Sequence, residues 1–191
     1  IPKKSGISYA GELVQAFLVQ SGFSFDSGNV TLRKIGSGDR LIYTHKNSNS
    51  LAEMIAGMLR YSNNFTANQL LLSVGLKRYG APATLEKGIR ALKEYLRKEL
   101  GIPEKQFRIA EGSGISRKNR LTPEAIWQLL KAFSEQRNLL HGENGILYKT
   151  GTLRGVSTMA GYLPGSKPRY FVILLNQQKN RRDQNLPHRS I

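Results

Sequence analysis

The sequence predicts an α+β protein, an antiparallel sheet flanked by helices. Two observations carry the prediction. From Leu13 to Phe133, apolar residues recur mostly at helical spacing. After them come three runs rich in β-branched and aromatic residues, "GILYKTGTL", "STMAGYLP" and "RYFVILLNQ", joined only by the turns "RGV" and "GSKP". Connections that short make antiparallel neighbours, because a parallel pair needs a crossover of about a dozen residues or more. Helices first and a meander after them define the class.

The elements follow in order. "SYAGELVQAFLVQSG" takes Ser8 as its N-cap, carries Leu13, Val14, Phe17 and Leu18 on one face, and stops at Gly22. "NVTLRKIGSGDRLIYTHK" sets β-branched residues around a Gly-Ser-Gly-Asp turn and reads as a hairpin. "SLAEMIAGMLRYS" opens with a capping box, Ser50 and Glu53, and aligns Leu51, Met54, Ile55, Met58 and Leu59. Its methionines read as core packing. "NNFTANQLLLSVGLKRYG" reads as a second helix starting directly after Ser62 and ending at Gly80.

"TLEKGIRALKEYLRKELG" places Leu85, Ile89, Leu92 and Leu96 on one stripe, ended by Gly101 and Pro103. "LTPEAIWQLLKAF" has Thr122 at the N-cap and Pro123 in the first turn, with Ile126, Leu129, Leu130 and Phe133 inward and Trp127 expected in the core, with groove lining as the alternative. No linker demands a boundary, so residues 1–191 read as one body, with 178–191 a polar tail.

Composition narrows the function. The 191 residues are 39% hydrophobic and 22% charged, a globular balance. No run of about 18 apolar residues could cross a membrane. Without cysteine there is no disulfide or thiolate chemistry. The net charge of +16 favours a polyanionic partner or a solvated basic surface. The basic residues spread from Lys3 to Arg189, and the densest run, "KNRRDQNLPHR", has no interleaved aromatics. Nucleic acid is therefore not the expected partner. The three histidines, His45, His141 and His188, have no paired spacing, so no metal or other cofactor is expected. No G-x-S-x-G elbow and no P-loop occur.

Two short stretches fit none of these structural roles alone. "YSNN" sets Ser62 and Asn64 in Ser-x-Asn order between two helices, and "KTGT" sets Lys149, Thr150, Gly151 and Thr152 on a strand. Taken singly, Lys149 reads as a solvated strand lysine, and Ser62 and Asn64 as helix capping residues. In this order the two stretches resemble two of the three motifs of the penicillin-recognising serine acyl transferases. A third stretch, "AEGSGISRKNRLTP" from Ala110 to Pro123, resembles the Asp-Gly-Ser-Gly-Leu-Ser-Arg-x-Asn segment of the class C low-molecular-mass penicillin-binding proteins. These are D-alanyl-D-alanine carboxypeptidases/endopeptidases. The likeness runs from about Tyr9 to about Gln177.

The resemblance implies part of a penicillin-binding-protein/serine β-lactamase-like transpeptidase fold. It implies an extracytoplasmic, periplasmic enzyme. A serine would attack a peptidoglycan peptide ending in D-Ala-D-Ala, or a β-lactam antibiotic, and leave an acyl-enzyme. On this chain Ser62 would shuttle protons, Asn64 would hold the acyl chain's amide and Lys149 would supply positive potential. The Thr150 and Thr152 hydroxyls would hold the terminal carboxylate, and the Thr152 N–H would form half of an oxyanion hole. Gly151 would let substrate lie against the strand.

The chain departs from the pattern at one decisive place. The nucleophile of these enzymes sits in Ser-x-x-Lys, and no serine here has a lysine three residues on. The expected reading is a C-terminal portion of the penicillin-binding domain, supplying Ser-x-Asn and Lys-Thr-Gly but not the nucleophile, and inactive by itself. Glu111 stands where the family carries Asp, and the segment between "SEQRNLL" and "GILYKTG" is shorter than in the family. Two alternatives stay open: a non-catalytic peptidoglycan-binding pseudoenzyme and a basic nucleic-acid-binding module.

Overall fold

A computed structural model describes residues 3–26, 30–31, 33–165, 167 and 169–176. The chain forms two compact units, Ile1–Lys46 and Asn47–Ile191. The expected polar tail, 178–191, lies outside the described residues.

The first unit is built on helix α1, Lys3–Gln20. It begins five residues ahead of the expected cap, so Ser8 lies inside it. Apart from one glycine, the residues between Lys3 and Ser8 hold nothing that breaks a helix, and a capping preference gives way to propagation. Its end is the expected one. Gly22 has φ 93°, and the N–H of Phe23 returns to the Leu18 carbonyl at 3.0 Å.

The expected hairpin is absent from the described residues. Its Gly-Ser-Gly-Asp turn is present: the Asp39 carboxylate accepts from the Gly36 N–H at 2.7 Å and from the Arg33 guanidinium. Yet the described residues from 33 to 46 contain no strand. Ile35, Leu41, Ile42 and Tyr43 are 74–90% exposed. Strand propensity is largely packing against a neighbour, and two strands without a buried face are marginal in water. Asn29 and Leu32, which belong to the same expectation, lie outside the described residues.

The second unit is α+β, as predicted. Helices α2 (Leu51–Tyr61), α3 (Asn64–Tyr79), α4 (Leu85–Lys98) and α5 (Pro123–Ala132) precede the main sheet. The capping box is formed in full: Ser50 Oγ accepts from the Glu53 N–H, and the Glu53 carboxylate accepts from the Ser50 N–H at 2.7 Å. Helices α3 and α4 cross where Gly75 and Gly88 meet. A Cβ on Gly88 would lie 2.5 Å from the Leu71 carbonyl oxygen, so bare α-carbons set this approach.

Two short strands, β1 (Phe107–Arg108) and β2 (Arg120–Leu121), pair antiparallel between α4 and α5. The main sheet comprises β3 (Gly142–Glu143), β4 (Ile146–Leu153), β5 (Val156–Leu163) and β6 (Arg169–Asn176), antiparallel in the order β3-β4-β5-β6. The three long strands are the expected ones. The two-residue strands β1, β2 and β3 are too short to leave a period in the sequence.

Helix α5 joins two cores. Its Ala125 packs with Leu96, Ile102 and Phe107. Its Leu130 packs with Leu140 and Tyr162, against which Ile126, Phe133, Leu147 and Val172 lie. The Tyr162 hydroxyl donates to the Leu130 carbonyl at 2.7 Å and locks α5 onto the sheet.

The apolar stripe of α4 is only partly buried, and one core expectation, Trp127, needs correction. On α4, Leu96 is buried and Leu92 packs on the core, but Leu85 and Ile89 line a surface groove with Phe107. Gly88 and Ala91 take the buried positions instead, because the close crossing with α3 admits only small side chains. Trp127 is 42% exposed rather than in the core. It lies edge-on to Tyr170 and beneath the Lys131 ammonium, 4.6 Å from its ring centre.

Candidate active site

Helix α2 ends in an uncommon way, and that end creates the site. Ser62 follows Tyr61 in the left-handed region, φ 51° and ψ 47°, with its N–H turned back to the Met58 carbonyl. For a residue other than glycine this conformation costs roughly 1 kcal/mol. Asn63 then caps the next helix, its Oδ1 accepting from the Thr66 N–H at 2.9 Å. One helix therefore stops and another starts across two residues. The junction leaves the Ser62 hydroxyl exposed, with Asn64 at the first position of α3.

Strand β4 brings the second group. The Lys149 Nζ donates to Ser62 Oγ at 2.6 Å and to the Thr150 carbonyl at 2.6 Å. Among the described residues no carboxylate pairs with Lys149. Burial without a counter-charge pushes its ammonium below the usual lysine range. A cation held against a serine hydroxyl lowers the cost of negative charge on that oxygen and can pass a proton through it.

Alternation along β4 sorts the remaining groups. Leu147, Lys149 and Gly151 share the face that carries the core. Thr150 and Thr152 share the opposite face, and both are exposed. A Cβ on Gly151 would lie 2.6 Å from Thr158 Oγ1, so the missing side chain makes room for a neighbouring strand.

The backbone of β4 has an open edge. Strand β3 pairs only with Ile146 and Leu147, and the Tyr148 N–H still bonds to the His141 carbonyl at 3.0 Å. Alternate residues of an antiparallel strand turn their N–H and C=O to the same side. Thr150 and Thr152 therefore face the edge with Tyr148, away from β5, where no described strand pairs with them. On this edge the Thr152 N–H has no strand partner among the described residues. Among the described residues Asn64 is hydrogen-bonded to neither Ser62 nor Lys149; chain connectivity alone places it beside the serine.

A loop from Ala110 to Asn119 borders both elements. The Glu111 carboxylate accepts from the Ser113 hydroxyl and N–H, the Gly114 N–H, the Ser116 N–H and the Asn119 amide. Burial raises its pKa, and the bonds from Ser113 and Ser116 outweigh that and hold it at about 2. Asn119 Oδ1 in turn accepts from the Ala110 N–H at 2.6 Å. In the sequence Glu111 stands out only as a replacement for Asp. The acid before Gly-Ser-Gly and the asparagine eight residues later were the available signal.

The sequence and the fold match known proteins. The model of the D-Ala-D-Ala carboxypeptidase 3 (S13) family matches residues 4–146. The chain belongs to this family. The matched stretch includes Ser62, Asn64 and the Glu111 loop and stops three residues before Lys149.

Within the S13 family, the chain is 28% identical over 184 residues to the D-alanyl-D-alanine carboxypeptidase DacB of Haemophilus influenzae, covering 84% of this chain and 38% of that protein. It is 28% identical over 185 residues to the D-alanyl-D-alanine carboxypeptidase of an Actinomadura species, covering 82% of this chain and 34% of the relative. The chain thus spans under two fifths of either.

The crystal structure of penicillin binding protein 4 (dacB) from Haemophilus influenzae, complexed with a β-lactam, superposes with a TM-score of 0.75 at 25% identity, over 88% of this chain and 44% of that one. The Bd0816 predatory endopeptidase of Bdellovibrio bacteriovorus, at 22% identity and TM-score 0.56 over 71% of this chain and 38% of that one, shares the fold. The fold is that of the penicillin-binding proteins, as the resemblance implied.

Proposed function

We propose that this chain supplies the proton-relay and substrate-holding half of a serine-type D-Ala-D-Ala carboxypeptidase/endopeptidase, and that the nucleophile lies outside these residues. One observation carries the reading: the 2.6 Å contact between Lys149 Nζ and Ser62 Oγ, which joins the two motifs on an open strand edge. Membership of the S13 family supports it.

In this reading, a stem peptide ending in D-Ala-D-Ala lies along the open edge of β4. The Thr152 N–H bonds to the carbonyl under attack and stabilises the oxyanion as it forms. The Thr150 and Thr152 hydroxyls hold the terminal carboxylate, and Asn64 holds the amide of the acyl chain. Ser62, polarised by Lys149, passes a proton toward the leaving amine when the acyl-enzyme forms, and back when water resolves it. A β-lactam presents the same carboxylate and carbonyl and would acylate the nucleophilic serine outside these residues. The setting is extracytoplasmic, where peptidoglycan is found. No described helix is long and apolar enough to cross a membrane.

The test uses a polypeptide carrying this chain together with a Ser-x-x-Lys serine. Benzylpenicillin is added and the adduct located by mass spectrometry. The expected result is one adduct, on that serine, formed far more slowly when Lys149 is replaced by Ala. An adduct on a serine within these 191 residues would overturn the assignment.

A further inference from the structure

Two elements must hold their separation for the Ser62–Lys149 contact to persist: the α2–α3 junction and strand β4. These groups are 87 residues apart in the chain. The Ala110–Asn119 loop touches both sides. On one side, the Gly112 N–H donates to Asn68 Oδ1 at 2.8 Å. Asn68 lies one helical turn after Asn64. The loop is pressed close there: a Cβ on Gly112 would stand 2.9 Å from the Ala67 carbonyl oxygen and 3.1 Å from Leu71 Cβ. On the other side, the Arg117 guanidinium donates to the Arg154 carbonyl in the turn that follows β4. Between these two anchors the backbone is gathered onto the Glu111 carboxylate.

From this geometry we infer that Glu111 and Asn68 are positioning residues, which hold the loop as a brace between α3 and β4 and so fix Ser62 against Lys149. Neither is hydrogen-bonded to Ser62 or Lys149. Glu111 sets the shape of the brace, and Asn68 is its attachment to the Ser-x-Asn helix. A five-donor carboxylate suits this task, because its bonds restrict the loop to one conformation. The proposal rests on reading Ser62 and Lys149 as the acyl-transfer pair.

The test reads Lys149 directly and needs no turnover. The chain is labelled at its lysine ε-carbons, Lys149 is assigned with Lys149→Arg, and its titration is followed by NMR. In Asn68→Ala and Glu111→Gln, the Lys149 titration is expected to move upward, toward the ordinary lysine value of about 10.4. Glu111→Asp, which keeps the carboxylate, is expected to track the wild type. Asn68→Ala leaves the Ser113, Gly114, Ser116 and Asn119 bonds to Glu111 in place, so it serves if Glu111→Gln does not fold. An unchanged Lys149 titration in folded Asn68→Ala overturns the proposal, as does Glu111→Asp shifting as far as Glu111→Gln.

In a polypeptide that carries the nucleophile, Asn68→Ala and Glu111→Gln are expected to acylate with benzylpenicillin on the order of 10-fold more slowly, and Glu111→Asp at the parent's rate. If the lysine shifts while Ser62 and Lys149 prove dispensable for acylation, the functional reading fails and the brace stands.

Discussion

Lys149 donates to the hydroxyl of Ser62 across 2.6 Å, and Ser62 is held there in a left-handed backbone conformation. That backbone separates the serine's chemical role from its structural one. Ser62→Gly removes the hydroxyl and suits the positive φ better than serine does. The variant is expected to be at least as stable as the parent, by up to about 1 kcal/mol in a urea titration. In a polypeptide that also holds the nucleophile, its acylation by benzylpenicillin is expected to slow by roughly 10²–10⁴, the usual worth of a positioned proton shuttle. Equal acylation rates for parent and variant would remove Ser62 from the mechanism.

The 191-residue chain alone is expected to form no penicillin adduct. Its groups can polarise a hydroxyl and receive a carboxylate, but no serine in the sequence has its lysine three residues on. Intact-mass measurement before and after incubation with benzylpenicillin checks this: the expected mass is that of the 21.4 kDa chain in both samples.

How much of this was legible beforehand depended on the range of the interaction. The helices and long strands announce themselves locally, through the Ser50–Glu53 box, the Thr122–Pro123 start and the β-branched runs. Ser62 and Lys149 were legible as residue types in a known order, but their contact is tertiary. The hairpin expectation failed over the described residues 33–46, where Ile35, Leu41, Ile42 and Tyr43 are exposed and find no strand to pair with among the described residues. The role of Glu111 was not legible, since a single acid beside Gly-Ser-Gly resembles any turn residue until its five donors are seen together. The exposure of Leu85 and Trp127 followed from which helix faces find partners, a fact the 3.6-residue period does not contain.

Glu111 gives the pH prediction. Its carboxyl is held at about 2 in the fold, against an ordinary value of 4.5. A depressed carboxyl binds fewer protons folded than unfolded between those values, so stability rises with pH across that window. Its contribution is complete above about 4.5 and is lost as pH falls toward 2. Glu111→Gln is expected to lose roughly 1–2 kcal/mol at pH 7, discounted for the carboxylate's partial exposure. Its stability should also fall less steeply than the parent's between pH 4.5 and pH 2. Urea midpoints at pH 7, 4.5, 3.5 and 2.5 make the comparison, and parallel curves for the two proteins would show that the carboxylate is not held low.

The crossing of α3 and α4 gives a prediction that is purely steric. Ala is the better helix former, and at an open site Gly88→Ala would stabilise α4 by roughly 0.5–1 kcal/mol. Here the new methyl would meet the Leu71 carbonyl oxygen at 2.5 Å and Leu71 Cγ at 2.8 Å. The nearest of these atoms is backbone, which cannot rotate away, so the helices must separate. Overpacking of this kind costs about 1–3 kcal/mol, more than the gain in propensity. Gly57, on α2, has nothing within 4 Å of an added Cβ and provides the control. Gly88→Ala is expected to lower the urea midpoint and Gly57→Ala to raise it. Because α3 carries Asn64 and Asn68, separation at Gly88 should also disturb the site, and the Lys149 titration should move in Gly88→Ala while staying fixed in Gly57→Ala.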